Sequence, residues 1–177
     1  PTFDGELRVA MKKELELWFK AMILENRSVL DMLTSDFTYV NERLAKHYAI
    51  PDIYGDNFRR VTLRTSERAG ILGKAGLLTV TSFNSRTSPV VRGKWVLENI
   101  LDMPPPPPPP DVPALEVESQ EGKVLTMKEA MIAHRQNPVC ANCHKMMEPI
   151  GLALEIYDGI GAYRTRYDEA NAEVDSS

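Results

Sequence analysis

The chain has few cysteines and no long apolar run, and each shortage excludes a class of protein. Two of its 177 residues are cysteines, Cys140 and Cys143, and they lie three positions apart. A single close pair cannot form the disulfide framework of a small secreted scaffold. No uninterrupted apolar stretch approaches about 18 residues, the length at which a transmembrane helix is suspected. We therefore expect a chain that does not itself span a membrane and whose cysteines have a local role.

An excess of basic residues is also missing. Lysine and arginine number 21 against 25 aspartates and glutamates, which gives a formal net charge of -4. Nucleic-acid binders usually carry a basic surface or stripe, so nucleic acid is not an expected partner. The hydrophobic content of 43% can support the core of one full-sized domain or two small ones. The N-terminus has no initiator methionine or signal-peptide pattern, so an exported protein would have lost its signal.

Hydrophobic periodicity predicts helices in the first part of the chain. Apolar residues at three- and four-residue steps predict a helix over residues 5–24: Leu7, Met11, Leu15, Trp18 and Met22. A short helix is expected at residues 29–33, and Thr38 is interpreted as the N-cap of another helix that runs to Tyr48. Residues 52–65 are expected to be irregular or weakly extended.

Cap and composition signals organise the centre of the chain. Ser66 is interpreted as the start of a glycine-containing helix that continues to Ala75, and residues 77–81 have the composition of a strand. Ser88 followed by Pro89 is typical of a helix start, because proline fits the first helical position. The sequence therefore predicts a succession of short elements here.

A run of seven prolines occupies residues 104–110. Such a run cannot form a helix or pair in a sheet, and it favours a polyproline II rod of about 22 Å at about 3.1 Å per residue. We interpret residues 104–113 as a strap between two parts of the protein. Beyond the strap, Thr126 and Glu129 match a capping box, and a helix is predicted to lead towards the cysteines.

The strongest chemical signal is the segment 140–144, Cys-Ala-Asn-Cys-His. This is the pattern for c-type haem attachment, in which two thiols add to the two vinyl groups and the adjacent histidine reaches the iron. The spacing suits this task because a single turn of chain presents both sulfurs along one haem edge and places the next imidazole beneath the ring centre. We predict one covalent haem c on Cys140 and Cys143, with His144 as an axial iron ligand.

Three other interpretations compete for the same residues. A structural zinc site normally has four protein ligands, and the motif supplies three, so another histidine would have to complete it. A thioredoxin-like redox pair would follow a strand in a βαβ pattern, whereas a helix is predicted before this motif. The third is a coincidence in an ordinary buried loop. Haem c is the interpretation that we prefer. Because haem c is attached on the outer side of the energy-transducing membrane, we expect a periplasmic or extracellular protein.

Several longer segments carry a family resemblance and together cover most of residues 30–166. They are residues 37–48, residues 77–82, residues 87–93 with the prolines behind them, and residues 140–144 continuing to 147–155. In these segments the chain resembles the cytochrome c-containing regions of large exported proteins of planctomycetes and related bacteria. Glu148 departs slightly from that family, which often has aspartate there. The resemblance implies electron transfer without naming a donor or acceptor, and it implies a piece of a longer chain.

The ligand on the other side of the iron is left open by the sequence. Met146 and Met147 follow His144 too closely, because two or three residues span at most about 10 Å. His47 is the first choice, since it ends a predicted helix beside an apolar stripe and is distant enough in sequence to approach from the opposite side. His134 is the alternative, although its position just before the cysteines favours packing near the haem edge.

Other assignments at the site rest on weaker signals. An upstream methionine, such as Met11, Met22, Met103 or Met131, or an open position is also compatible with the iron. Arg164 and Arg166 are candidates to pair with haem propionates, because arginine presents a forked donor that matches carboxylates; a solvated surface explains them equally well. Met147 is interpreted as a core residue beside the haem. His47 also has a purely structural explanation, as a cationic side chain near a helix C-terminus.

These signals together predict a mainly α-helical protein. A helical region over residues 1–103 would cover the haem, the strap would occupy residues 104–113, and a cytochrome c-like segment would occupy residues 114–177. The leading function is a single-haem electron-transfer module, served by redox protein partners or other haem domains and belonging to a larger chain or assembly. A peroxidase-like haem enzyme with an open distal site, and a docking or structural subunit of a respiratory or degradative complex, are the alternatives.

Overall fold

The computed structural model describes residues 2–107, 115, 124–134, 138–167 and 172–174; for residues 133, 134 and 138–143 it describes the backbone alone. The polypeptide forms two units. The first consists of Pro1–Ser85 with Tyr157–Tyr163, and the second of Arg86–Ile156 with Arg164–Ser177. The described residues form seven helices and four short strands, so helix predominates, as the sequence predicts.

Helix α1, Gly5–Leu24, contributes an apolar face to the core of the first unit. Its start is fixed by Asp4, whose side chain accepts a hydrogen bond from the Leu7 amide at 2.7 Å. Of the predicted stripe, Leu15 is half-buried, and the other four residues are buried: Leu7, Met11, Trp18 and Met22. Each large apolar side chain that is fully buried contributes roughly 1.5–3 kcal/mol. The periodicity therefore predicted both the helix and the face that packs inward.

Two short strands accompany the second helix. Helix α2, Asp31–Thr34, ends just before strand β1, Phe37–Val40. Strand β1 pairs antiparallel with strand β2, Arg59–Thr62, in register over four residue pairs. The extended character predicted for residues 52–65 agrees with β2.

The prediction that Thr38 caps a helix is wrong. Helix α3 covers Glu42–His47, and its N-cap is Asn41, whose side chain accepts a hydrogen bond from the Leu44 amide at 3.1 Å. Thr38 lies in β1, where its hydroxyl donates to the buried carboxylate of Glu14 on α1. This tertiary contact takes precedence over a local cap because a buried carboxylate without donors is costly.

The segment after β2 also differs from the prediction. Residues 66–73 form turns rather than a helix, and the expected strand that follows belongs to helix α4, Ala75–Val80. Gly70 has a φ of +59°, and a Cβ there would lie 2.4 Å from the carbonyl carbon of Leu33. The first amide of α4 donates to the Tyr48 hydroxyl at 2.8 Å. The start of α4 is therefore fixed by a distant residue, which no local pattern records.

Two helices of the second unit pack with their backbones in direct contact. They are α5, Pro89–Asn99, and α7, Pro138–Ala153. A Cβ on Gly93 of α5 would lie 1.9 Å from the Met147 carbonyl oxygen. A Cβ on Gly151 of α7 would lie 1.8 Å from the carbonyl oxygen of the first residue of α5. No side chain fits at either position, so glycine permits this approach.

Both predicted helix starts in the second unit are confirmed. Ser88 caps α5 by accepting a hydrogen bond from the Val91 amide at 3.3 Å. Helix α6 covers Met127–His134 and begins with the predicted capping box. The Thr126 amide donates to the Glu129 carboxylate at 2.8 Å, and the Glu129 amide donates to the Thr126 hydroxyl at 3.2 Å.

Tyr167, in a short strand near the end of the chain, packs on α6 and α7. Strand β3, Arg166–Tyr167, pairs antiparallel with strand β4, Ala172–Glu173. One buried apolar cluster joins these elements: Met127, Met131, Leu152 and Tyr167. The second unit therefore includes residues from both sides of the proline run.

The structure divides the chain differently from the expected segments 1–103, 104–113 and 114–177. The N-terminal segment of the first unit stops at Ser85 rather than at residue 103, because α5 packs against α7 and belongs with it, and the first unit also takes in Tyr157–Tyr163. Of the expected strap, residues 104–107 are described and have neither helix nor strand, while the remainder lies outside the described residues.

The close approach of α5 and α7 leads to a stability prediction. Gly93→Ala should lower the free energy of unfolding by about 1–3 kcal/mol, because the added methyl group forces two backbones apart. Urea unfolding followed by circular dichroism measures this change. Gly5→Ala is the matched control, since a Cβ there meets nothing within 4 Å. Equal stability of the two variants would contradict the packing described here.

Candidate functional site

The cysteine motif lies in helix α7. The backbone is helical from Pro138 to Ala153, a range that contains Cys140, Cys143 and His144; the cysteine side chains lie outside the described residues. Residues three and four positions apart are neighbours on a helix surface, so the helix brings these three positions to one side. Helix α6 precedes the motif, in agreement with the argument against a thioredoxin-like pair.

His144 forms a short hydrogen bond one turn along the same helix. Its Nδ1 lies 2.6 Å from Oε1 of Glu148. The Glu148 side chain is 2% exposed and that of His144 is 15% exposed. An ionised carboxylate can only accept a hydrogen bond, so a pairing with ionised Glu148 selects the tautomer in which Nδ1 donates and Nε2 of the neutral imidazole carries the lone pair. The ring is therefore prepared to bind a metal through Nε2.

Met147 lies next to this pair and is buried, as predicted for a core residue. Its carbonyl oxygen is the atom that approaches Gly93 of α5. At Met147, one residue before Glu148, helix α7 is therefore held against α5. Contact between Met147 and a haem stays a prediction.

A second buried carboxylate, Glu155, collects donors from several parts of the second unit. It accepts hydrogen bonds from Thr87 at 2.8 Å and from Arg164 at 2.9 Å, and Nη1 of Arg92 lies 3.4 Å from it. Burial raises the pKa of Glu155 above its ordinary value, although both arginines oppose the shift. Arg164, a predicted propionate contact, therefore binds a protein carboxylate. Arg166 is exposed on β3.

His47, the predicted second axial ligand, is buried at the end of α3 in the first unit. Its Nε2 lies 2.8 Å from the carbonyl oxygen of Ile160, which can only accept, so Nε2 carries the proton. Nδ1 is buried and has no hydrogen-bond partner among the described residues. Burial lowers the pKa of His47, which favours the neutral ring, the form that binds metals. Ligation by His47 stays a prediction, because His144 lies in the other unit.

The other candidate ligands have varied surroundings. His134 is the last residue of α6, and its side chain lies outside the described residues. Of the upstream methionines considered, Met103 is exposed, and the other three are buried among apolar residues: Met11, Met22 and Met131. Among the side chains that the structure describes, which exclude both cysteines, no cluster of three or more histidine, cysteine or acidic residues could hold a metal ion.

The first unit contains a buried polar network that the sequence analysis missed. Glu14 is fully buried and accepts hydrogen bonds from the hydroxyls of Thr38 and, at 2.6 Å, Tyr48. Lys74 is also buried and donates to the carbonyl oxygen of Phe37 at 3.2 Å. Burial raises the pKa of Glu14 and lowers that of Lys74 to about 8. The charged forms of Glu14 and Lys74 must therefore be stabilised by the surrounding protein rather than by water.

Comparison with known protein families assigns the chain. The family model PSCyt3, described as a protein of unknown function (DUF1588), matches residues 68–167, more than half of the 177 residues. The chain belongs to this family. A second model, PSD4, described as a protein of unknown function (DUF1592), matches residues 1–50. Both names are those of planctomycete-type domains associated with cytochrome c, in agreement with the predicted resemblance. Neither a curated protein nor a solved structure matches the chain.

The PSCyt3 match contains the cysteine motif, and the PSD4 match contains His47. Two of the residues missed by sequence reasoning left a readable signal. Glu148 lies four positions after His144, the spacing of helix neighbours, and Glu14 is a charged residue on the apolar stripe of α1. Glu155 left none, because its partners come from separate segments.

The buried amine of Lys74 leads to a prediction about pH. Its pKa of about 8 in the folded state lies below the ordinary value of 10.5 that the unfolded chain should show. Between these values the unfolded chain binds more protons, so this group makes the folded state more stable as the pH rises. The difference in free energy of unfolding between the wild type and Lys74→Met should therefore increase from about pH 7 to about pH 9.5, in favour of the wild type.

Urea unfolding at the two pH values measures this difference. Lys12→Met is the control, because Lys12 lies on α1 with its side chain 80% exposed, and its difference from the wild type should stay constant. A difference for Lys74→Met that is constant or shrinks with pH would show that the amine titrates normally.

Proposed function

We propose that the chain is a single-haem c-type cytochrome module that transfers electrons outside the cytoplasm, as part of a larger chain or assembly. The observation that carries this proposal is the pairing of His144 with Glu148 on the helix that contains Cys140 and Cys143. A histidine that binds a metal usually donates its other ring N–H to a carboxylate, a carbonyl or water. The membership in PSCyt3 supports the same conclusion.

The donor set fits haem c better than the competing groups. Cys140 and Cys143 supply two thiols one helical turn apart, and His144 supplies one nitrogen, since its Nδ1 is held by Glu148. A structural zinc ion would need a fourth protein ligand. Haem c needs from the motif the two thiols and one imidazole, and it supplies, when bound, an iron that cycles between ferric and ferrous forms.

Each residue of the motif has a separate task. Cys140 and Cys143 would hold the group through thioether bonds, formed when each thiol adds across one vinyl group. His144 would provide the axial nitrogen, in a tautomer set by Glu148. Met147 would exclude water from one side of the site, because it is buried in the second unit. A dry surrounding of this kind is one of the features that set a reduction potential.

We also propose His47 as the second axial ligand. Burial favours its neutral form, and in that form the buried Nδ1 would carry a lone pair that no described residue uses. Two histidine ligands would give a lower reduction potential than a histidine and methionine pair. His144 and His47 would together hold the group and leave no site for a substrate, which favours an electron carrier over an enzyme.

Location and partners follow from the cofactor. Haem c is attached outside the cytoplasm, so we place the protein in the periplasm or the extracellular space, with redox proteins or other haem domains as its partners. Within the described residues, no helix combines the length and the apolar character needed to cross a bilayer.

The first test concerns covalent attachment. The chain, exported in a host with haem c maturation machinery, should retain one haem per chain after denaturation, measured by mass and by the pyridine haemochrome spectrum. Cys140→Ser combined with Cys143→Ser should retain none, because no thiol remains. Asn142→Ala, between the two cysteines, should retain the full amount. Wild-type protein that carries zinc, or no metal, after this treatment would overturn the proposal.

The second test concerns the other axial ligand. His47→Ala should convert a low-spin, six-coordinate haem into a high-spin one that binds carbon monoxide or cyanide, observed by absorption and electron paramagnetic resonance. His134→Ala is the matched comparison and should leave the spectrum unchanged. The reverse result would make His134 the ligand, and a wild-type haem that is already high-spin would favour the open site of a haem enzyme.

A further inference from the structure

We propose that Glu148 is the positioning residue that sets the tautomer of His144 and lowers the reduction potential of the iron. This inference rests on the proposed function, because it requires a haem c with His144 as its ligand. Glu148 would thereby control the electron affinity of that site.

The contact itself is short and protected from water. Nδ1 of His144 lies 2.6 Å from Oε1 of Glu148, and the glutamate side chain is 2% exposed. An exposed pair with this i, i+4 spacing contributes little, because water competes for both groups. Burial removes that competition, so the hydrogen bond constrains the ring.

The backbone around Glu148 is held on both sides. One residue before it, the Met147 carbonyl oxygen approaches Gly93 so closely that a Cβ there would be 1.9 Å away. Three residues after it, Gly151 lies against the first residue of α5, where a Cβ would be 1.8 Å from the carbonyl oxygen. Helix α7 therefore cannot shift along α5 without a steric clash. The carboxylate is presented to His144 from a fixed position, as a residue that orients a ligand must be.

Two physical effects of the carboxylate act in the same direction. A hydrogen bond from Nδ1 to a carboxylate raises the basicity of the imidazole, and a more basic ligand favours ferric over ferrous iron. The negative charge, in surroundings of low dielectric constant, also favours the more positive ferric state. Both effects stabilise the ferric form relative to the ferrous form and therefore lower the reduction potential.

The reduction potential of Glu148→Gln tests this inference. Glutamine keeps the size and an oxygen acceptor but removes the charge. The equilibrium constant for reduction should increase about tenfold or more, which for one electron is about 59 mV per tenfold. Glu98→Gln is the matched control: it removes the same charge from the second unit, at a side chain that is 37% exposed and paired with Lys94. The reduction potential of the Glu98→Gln variant should stay close to that of the wild type.

Glu148→Asp provides a second measurement in case the glutamine variant does not fold. Aspartate keeps the charge but has a side chain shorter by one methylene, which weakens the hydrogen bond to Nδ1, so the reduction potential of this variant should lie above that of the wild type and below that of the glutamine variant. Potentials of both Glu148 variants equal to the wild type, in protein with intact covalent haem, would overturn this inference alone. Absence of covalent haem from the wild type would instead overturn the proposed function, before any potential is measured.

Discussion

The direct contact between the backbones of α5 and α7 is the constraint on which the second unit depends. Gly93 and Gly151 allow the two helices to approach until main-chain atoms meet, a distance that any side chain would prevent. Through this contact α5 belongs to the unit that contains the cysteine motif, whereas the helices that precede α5 in sequence belong to the first unit. It also fixes the turn of α7 on which Glu148 lies, and through that residue the ring of His144.

Buried carboxylates recur in both units, and each forms at least one hydrogen bond with a residue of another element or turn. Glu14 receives hydroxyl donors from β1 and from Tyr48, just after α3, and Glu155 receives donors from Thr87, just before the N-cap of α5, and from Arg164, before β3. Glu148 faces the histidine of the motif. Removing a charge from water is costly unless it is paired and hydrogen-bonded, so each carboxylate requires its partners to be in place. These groups therefore link the correct packing of the chain to the local chemistry.

The predictable parts of the fold are those with local causes. The caps at Ser88 and Thr126 were correct, because an N-cap satisfies amides only two or three residues away. Thr38 was misassigned since its hydroxyl serves Glu14, a residue on another element. Residues 77–81 have the composition of a strand but lie mostly in α4, whose start is held by Tyr48. The partners of Glu155 were likewise unpredictable, because they meet only in the folded chain.

The sequence by itself determined the chemistry that the protein can offer: two thiols and an imidazole at the spacing that predicts haem c, in segments that resemble a cytochrome-associated family. It determined also the helices whose periodicity and caps act within a few residues. Only the tertiary structure decided that His144 faces a buried carboxylate, that the pKa of Lys74 falls to about 8, and that α5 belongs with α7. The reason is physical: ligand identity and capping are short-range, whereas desolvation and close packing depend on which distant segments surround a group.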